Sequence, residues 1–395
     1  MTGGAQAQHL KALTSLRFFA AGAIFLFHLL QSVKIQLPAL ALGVCFFFVL
    51  SGFILAYVYG QFERATIRQF YWARFARLWP VHALTFTAAA AILYAGLITR
   101  PDGAAIAVVN VALLQTWVPL AGIPFSYNGV SWSISAEMAF YAVFPLLVFS
   151  RRFGVLYAGL AIATLVYLIG VDLLAPAKQT QRLGFDPLHL ILTFPPARLL
   201  EFATGVALGR WYLRNPDPPA ILARYPTMSE SALLLAILSF GATAALAQGH
   251  IKGMGLPLTS LWYSQAGGFL IFAAAIAAFA YGRGALSRAL STPALVLLGE
   301  ISFATYMVHT IVIKTFKLHA SDWATGPRVL AITVCTYALS YLVWRFWELP
   351  CRSLLRNSTV VTRPSSAAAH RSSHSAAQPS ALVRVRSWSA DGVPP

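Results

Sequence analysis

Apolar runs of bilayer-spanning length recur along this chain from about residue 14 to about residue 347. A transmembrane helix needs about 20 predominantly apolar residues. Within lipid only helices and closed barrels satisfy their own backbone groups. Runs this long are therefore helical, and the sequence predicts an all-α, polytopic transmembrane helix bundle. Only 10% of the residues are charged, against about 25% in a soluble domain. That is too few to cover a water-facing surface, and no soluble domain of useful size fits between the runs.

Hydropathy places spans at 14–33, 40–60, 80–98, 131–149, 153–174, 190–212, 230–248, 261–281, 293–314 and 328–347. An eleventh candidate, 104–120, is decided by charge. With ten spans, sixteen Lys and Arg fall in inner segments and eight in outer ones, the bias of the positive-inside rule. Both termini are then cytoplasmic, and 99–130 is an outer segment that dips partly into the bilayer. The stretch 61–79, with Arg64, Arg68 and several aromatics, is expected to lie on the inner membrane face. Lys11 and Arg17 before an apolar run resemble a signal peptide, but the run continues to about Leu30 without a small-residue cleavage pattern. Residues 1–359 form one membrane domain, and 360–395 read as a disordered low-complexity tail.

A net charge of +17 would suggest nucleic acid in a soluble protein. Here it orients helices, so the bilayer is the expected partner and nucleic acid is not. Cys45, Cys335 and Cys351 show neither metal spacing nor a disulfide framework. No internal repeat is visible, which argues against inverted-repeat transporter folds.

Ionisable groups inside a span cost at least about 2.5–3.5 kcal/mol on insertion scales and are usually functional or paired. Arg17 and His28 stand eleven residues apart on the first helix. At about 100° per residue that is about 20° beyond three full turns, so both share one face about 16 Å apart along the axis. A neutral imidazole can accept a proton near neutral pH; the plainer alternative is a hydrogen bond to a neighbouring helix. Arg74 and Arg77 form an R-x-x-R pair just before the third span. Guanidinium forks suit phosphate oxygens, or the pair is a positive-inside anchor. Glu137 follows Ser131 and Ser133, either of which could cap a helix start. Arg198 and Glu201 share a helix face and are expected to neutralise each other. Glu300 borders the entry to its helix, and His309 lies deeper, as a proton-handling group or a structural one.

These features resemble, in order, the acyltransferase-3 family of bacterial membrane O-acyltransferases. Leu13 to Arg17 and on to His28 is similar to the family's opening Arg-x10-His helix. Gly43 to Phe53 is similar to its second-helix signature, and Arg74-Phe75-Ala76-Arg77-Leu78-Trp79-Pro80 to its R-x-x-R-aromatic-Pro segment. Trp132-Ser133-Ile134-Ser135-Ala136-Glu137 resembles its W-S-x-x-x-E block, and Arg198 to Phe202 another family helix. Leu298-Gly299-Glu300-Ile301-Ser302 through Tyr306 and His309 resembles its L-G-x-x-S segment, and Glu348-Leu349-Pro350-Cys351-Arg352 its closing E-x-P-x-R. One position departs: many family members carry Asp where this chain has Cys45.

The resemblance implies an enzyme of the bacterial inner (cytoplasmic) membrane with acetyl-CoA as acyl donor and no permanently bound cofactor or metal. The acceptor would be a carbohydrate hydroxyl, as in exopolysaccharide or lipopolysaccharide. His28 would be the general base or carry the acyl group, with Arg17 orienting the donor. Arg74 and Arg77 would hold its phosphates. Glu137 and His309 would handle protons or support the site, with Ser133, Arg198 and Glu201 secondary. The alternatives are a glycan transporter or flippase without catalysis, and a membrane scaffold or sensor.

Overall fold

The computed structural model describes residues 3–60, 67–98, 100–174 and 186–357; the tail from 360 lies outside them. The helices are α1 (Gly3–Ser32), α2 (Gly43–Tyr59), α3 (Ile67–Leu93), α4 (Ala95–Ile98), α5 (Gly103–Val111) and α6 (Trp132–Val148). Then come α7 (Phe153–Leu174), α8 (Pro187–Leu192), α9 (Pro195–Arg214), α10 (Ala220–Arg224), α11 (Pro226–Gly253) and α12 (Pro257–Ala266). The last are α13 (Phe269–Tyr281), α14 (Ala285–Leu290), α15 (Pro293–Glu300), α16 (Ser302–His319), α17 (Thr325–Val343) and α18 (Leu349–Asn357). Among the described residues nine spans are long and apolar enough to cross a membrane, and α15 with α16 makes a tenth if that bent pair is one crossing. The chain is a multi-pass membrane protein. Proline opens α8, α9, α11, α12 and α15, where its missing N–H would have no intrahelical partner anyway.

Three sequence expectations are corrected. Residues 67–79 are not a helix lying on the membrane face; they are the first half of α3, which runs unbroken from Ile67 to Leu93, about 40 Å at 1.5 Å per residue. Nothing between Ile67 and Trp79 breaks a helix, and Pro80 is accommodated inside it. Arg74 and Arg77 therefore lie within this span, not before it. The span predicted at 293–314 is bent by 56° between α15 and α16, where Ser302 Oγ donates to the Gly299 carbonyl at 2.6 Å. Neither Ser131 nor Ser133 caps α6 through its side chain.

The candidate span 104–120 does not cross. Its helix α5 has nine residues, about 13 Å, and the chain then turns back through Leu113 at φ 57°. Buried polar contacts hold this segment on the bundle. Ser135 Oγ donates to the Leu113 carbonyl at 2.6 Å, Gln115 Nε2 to Ser131 Oγ at 3.1 Å, and Asn128 Nδ2 to the Met307 carbonyl at 2.8 Å.

The centre of the bundle is the parallel pair α2 and α9, packed backbone to backbone. A Cβ on Gly52 would lie 2.1 Å from the Phe202 carbonyl oxygen, and one on Gly205 2.0 Å from that of Val49. Without a hydrophobic drive between helices in lipid, such close approach of small residues is what holds spans together. Gly299 plays the same part where α15 meets α1, its Cβ position falling 2.0 Å from the Thr14 carbonyl oxygen. Helices α7 and α11 lie at the periphery, with 17% and 6% of their most apolar windows buried. Their only carboxylates anchor neighbours. Asp172 accepts from the Leu258 and Thr259 amides at the start of α12, and Glu230 from the Gly284, Leu286 and Ser287 amides around the start of α14.

Candidate active site

Helices α1, α3, α6 and α16 supply most of the polar residues, joined by Ser51 and Tyr59 of α2, Glu348 after α17 and Arg352 of α18. At one end His28 of α1 meets His309 of α16, with His28 Nδ1 3.1 Å from His309 Nε2. His309 is fully buried, and its Nδ1 lies 3.1 Å from the Thr305 carbonyl. His28 is half-buried, and its Nδ1 also lies 3.0 Å from the Ile24 carbonyl. A backbone carbonyl only accepts. His309 Nδ1 must therefore carry the proton, which leaves Nε2 of the neutral ring bare. His28 Nδ1 then faces two acceptors and must be the donor to both. The protein so selects one tautomer of His28, with Nε2 bare. That atom has no hydrogen-bond partner among the described residues. A bare nitrogen on a half-buried imidazole is what proton abstraction or nucleophilic attack requires.

From this pair a line of polar groups continues inward. Tyr306, one turn before His309 with ring centres 5.9 Å apart, bonds Ser133 Oγ at 2.8 Å. Glu137 follows Ser133 by one turn of α6, and its Oε1 accepts from Ser51 Oγ at 2.8 Å and Tyr141 Oη at 2.5 Å. Tyr141 lies within electrostatic range of Arg74 and Arg77. Arg17 in turn faces Arg77, Glu348, Glu137 and Arg352. Four arginines against three carboxylates, Glu300 beside Glu348 included, leave this end basic. Arg74 donates to Tyr59 Oη at 3.1 Å, with its guanidinium 5.4 Å from the centre of that ring. A groove of about 960 Å³ opens beside Arg74 between α3 and α6, lined by Arg68, Tyr71, Trp72, Phe75, Met138 and Tyr141 among others.

Arg17 and His28 thus share a face of α1 but serve opposite ends of one polar line. The structure does not bring Arg198 and Glu201 into it. Arg198 Nε and Nη2 donate to the two Glu201 oxygens at 2.6 and 2.8 Å, and Nη1 to the Leu192 carbonyl at 2.9 Å. The guanidinium lies 5.2 Å from the centre of the Phe48 ring and 5.5 Å from that of Trp132. Cys45 donates to the Ala266 carbonyl at 3.3 Å and borders Glu201. It makes no hydrogen bond to either histidine, so the partner of His28 here is His309, not the side chain at position 45. Glu300 is half-buried and faces Glu348.

Sequence reasoning gave no role to Tyr141, Tyr306 or Glu348. Tyr141 follows Glu137 by four residues and so shares its helix face; Tyr306 and Glu348 stand inside two of the family-like motifs. Among the described residues no cluster of His, Cys, Asp and Glu could hold a metal ion.

The family profile of the type-3 acyltransferase domain matches residues 10–345. The chain belongs to the acyltransferase-3 family. A relative, the acyltransferase MdmB of Streptomyces mycarofaciens, is 31% identical over 393 residues, covering 90% of this chain and 95% of that protein. The exopolysaccharide production protein ExoZ of Rhizobium meliloti is 28% identical over 295 residues, covering 73% of this chain and 81% of its own. No solved structure matches. In this acyltransferase-3 chain the Arg-x10-His, R-x-x-R, W-S-x-x-x-E and late histidine segments all contribute to the one polar line.

Proposed function

We propose that this acyltransferase moves an acyl group, acetyl from acetyl-CoA in the first instance, to a hydroxyl of an extracytoplasmic or lipid-linked carbohydrate. The observation that carries this is the polar line itself, with a basic cluster at one end and a tautomer-selected histidine at the other. The basic end faces the cytoplasm of the bacterial inner membrane, where the positive-inside rule puts it and where acyl-CoA is found. Arg74 and Arg77 grip the donor phosphates, and Arg17 steers the thioester inward. The name of the exopolysaccharide relative supports a polysaccharide acceptor.

In the transfer, His28 Nε2 takes the proton of the acceptor hydroxyl. The oxygen attacks the thioester carbonyl, a C–O bond forms and the C–S bond breaks. The departing thiolate receives the proton from His28, which returns to its starting tautomer. Throughout, His309 Nε2 accepts from His28 Nδ1–H and stabilises the imidazolium. The transfer of labelled acetyl from acetyl-CoA to surface glycan by purified protein tests this. Full activity in a folded His28→Ala enzyme removes the catalytic role. Labelled acyl-enzyme that forms with donor alone, and is absent in His28→Ala, instead makes His28 the acyl carrier. A protein that moves glycan but never consumes donor is a transporter.

A further inference from the structure

Among the described residues, only two buried atoms of Arg, Lys, Asp or Glu side chains lack a hydrogen-bond partner: Arg74 Nε and Glu348 Oε2. Both belong to the basic cluster. Elsewhere buried charge is matched, as in the Arg198–Glu201 pair and in Glu230 on its amides. Glu348 is 5% exposed and ends a π-helical turn, Trp344–Glu348, between α17 and α18. Such a turn adds one residue to the helical register and so rotates α18 relative to α17 by about 100°. Trp347 Nε1 donates to the Pro80 carbonyl at 2.9 Å, and Trp72 Nε1 to the Leu355 carbonyl at 2.6 Å. These bonds fasten both sides of Glu348 to α3, the helix that carries Arg77. The charged groups facing the carboxylate are Arg77, Arg17, Arg352 and Glu300.

We infer that Glu348 is a fixed counter-ion of the donor site, one that competes with the donor phosphates for Arg77, with Arg17 beside it, and keeps the cluster from holding CoA too tightly. This rests on the cluster being the donor site. Product CoA carries every phosphate of acetyl-CoA, so phosphate contacts hold donor and product alike and give no help to the chemical step. Guanidiniums without a counter-charge would retain the product, and release would limit turnover. A buried carboxylate whose backbone is fastened to α3 on both sides opposes both ligands equally.

The test is CoA binding and turnover by full-length protein carrying Glu348→Gln, Glu348→Ala or Glu348→Asp. Removing one like charge about 10 Å from a ligand charge, at an effective dielectric of about 20, lowers the CoA Kd by about ten-fold at low salt. The gain shrinks as salt rises and is smaller for dephospho-CoA, while steady-state kcat falls and single-turnover transfer does not. E348D keeps its charge and a Kd near the wild-type value. CoA binding that is unchanged or weaker in E348Q and E348A overturns the inference, as does an E348D that tightens as much as they do. Misfolding cannot produce a gain in affinity. Replacing Arg74 and Arg77 by Gln separates the two levels. If CoA binding is indifferent to that change, the donor site itself is wrong; if it weakens while E348Q does not tighten, only the role of Glu348 fails.

Discussion

Replacing His309 by Leu tests whether the second imidazole works through the first. His309 Nε2 is 3.1 Å from His28 Nδ1, and Leu cannot accept that bond. In the resting state the loss is small, because the Ile24 carbonyl at 3.0 Å still receives the Nδ1 proton and one neutral hydrogen bond is worth about 0.5–1.5 kcal/mol net. In the transition state His28 is an imidazolium, and a bond from a charged donor is worth about 1.5–3 kcal/mol. The difference, about 1–1.5 kcal/mol, falls on kcat as a loss of about 5-fold to 13-fold, with the donor KM little changed. His309→Gln, whose amide oxygen accepts, recovers part of the loss. The assay is thiol release from acetyl-CoA with glycan acceptor, on purified protein whose folding is checked by thermal unfolding. Because His309 acts through His28, H28A/H309L should be no slower than H28A alone. Multiplying losses, or an H309L enzyme at full speed, would refute the coupling and return His309 to a packing role.

Arg74→Gln with Arg77→Gln should raise the donor KM by about 10-fold or more, since charge-assisted bonds contribute about 1.5–3 kcal/mol each, and flatten its salt dependence; an unchanged KM in acyl-transfer kinetics makes the pair a membrane anchor. Gly205→Leu should abolish folded protein and Gly205→Ala lower thermal stability by about 1–3 kcal/mol or more, because a Cβ there falls 2.0 Å from the Val49 carbonyl oxygen; unfolding of detergent-solubilised protein reports both. Arg198→Met strands a buried carboxylate and should cost about 3–5 kcal/mol, while Arg198→Met with Glu201→Leu costs less than either single change, measured in the same unfolding assay.

The spans were legible because lipid accepts only long apolar helices, and hydropathy counts those directly. What it marks is the apolar slab, not the ends of helices. Arg68, Arg74 and Arg77 ended the predicted third span, yet α3 begins at Ile67, because a charged face turned toward Tyr141 and Glu348 does not interrupt backbone hydrogen bonding. The bend at Ile301 was hidden for a related reason: both halves are apolar, and it arises where Gly299 packs on Thr14. In the site, the shared face of Arg17 and His28 followed from helical arithmetic, and the Arg198–Glu201 pair from a three-residue spacing. The partner of His28 did not, since His309 lies 281 positions away and no local period links them. Position 45 shows the same limit: one helix away in sequence from His28, it faces Glu201 and Ala266 instead.

The buried ion pair, though outside the polar line, bears on it through packing. Arg198 stacks 5.5 Å from the centre of the Trp132 ring and 5.2 Å from that of Phe48. Phe48 belongs to α2, and Arg198 to α9, the two helices joined by Gly52 and Gly205. Trp132 is the residue before Ser133, whose hydroxyl meets Tyr306 at 2.8 Å. The closely packed pair α2 and α9 thus sets where α6 begins, and the start of α6 sets the rotation that presents Ser133 to Tyr306 and, one turn on, Glu137 to Tyr141. A guanidinium fixed on both carboxylate oxygens and a carbonyl is pre-organised for this in a way lysine is not. The helices accordingly divide the labour: α2 and α9 form the closely packed centre, α7 and α11 face outward, and α1, α3, α6 and α16 carry most of the polar line.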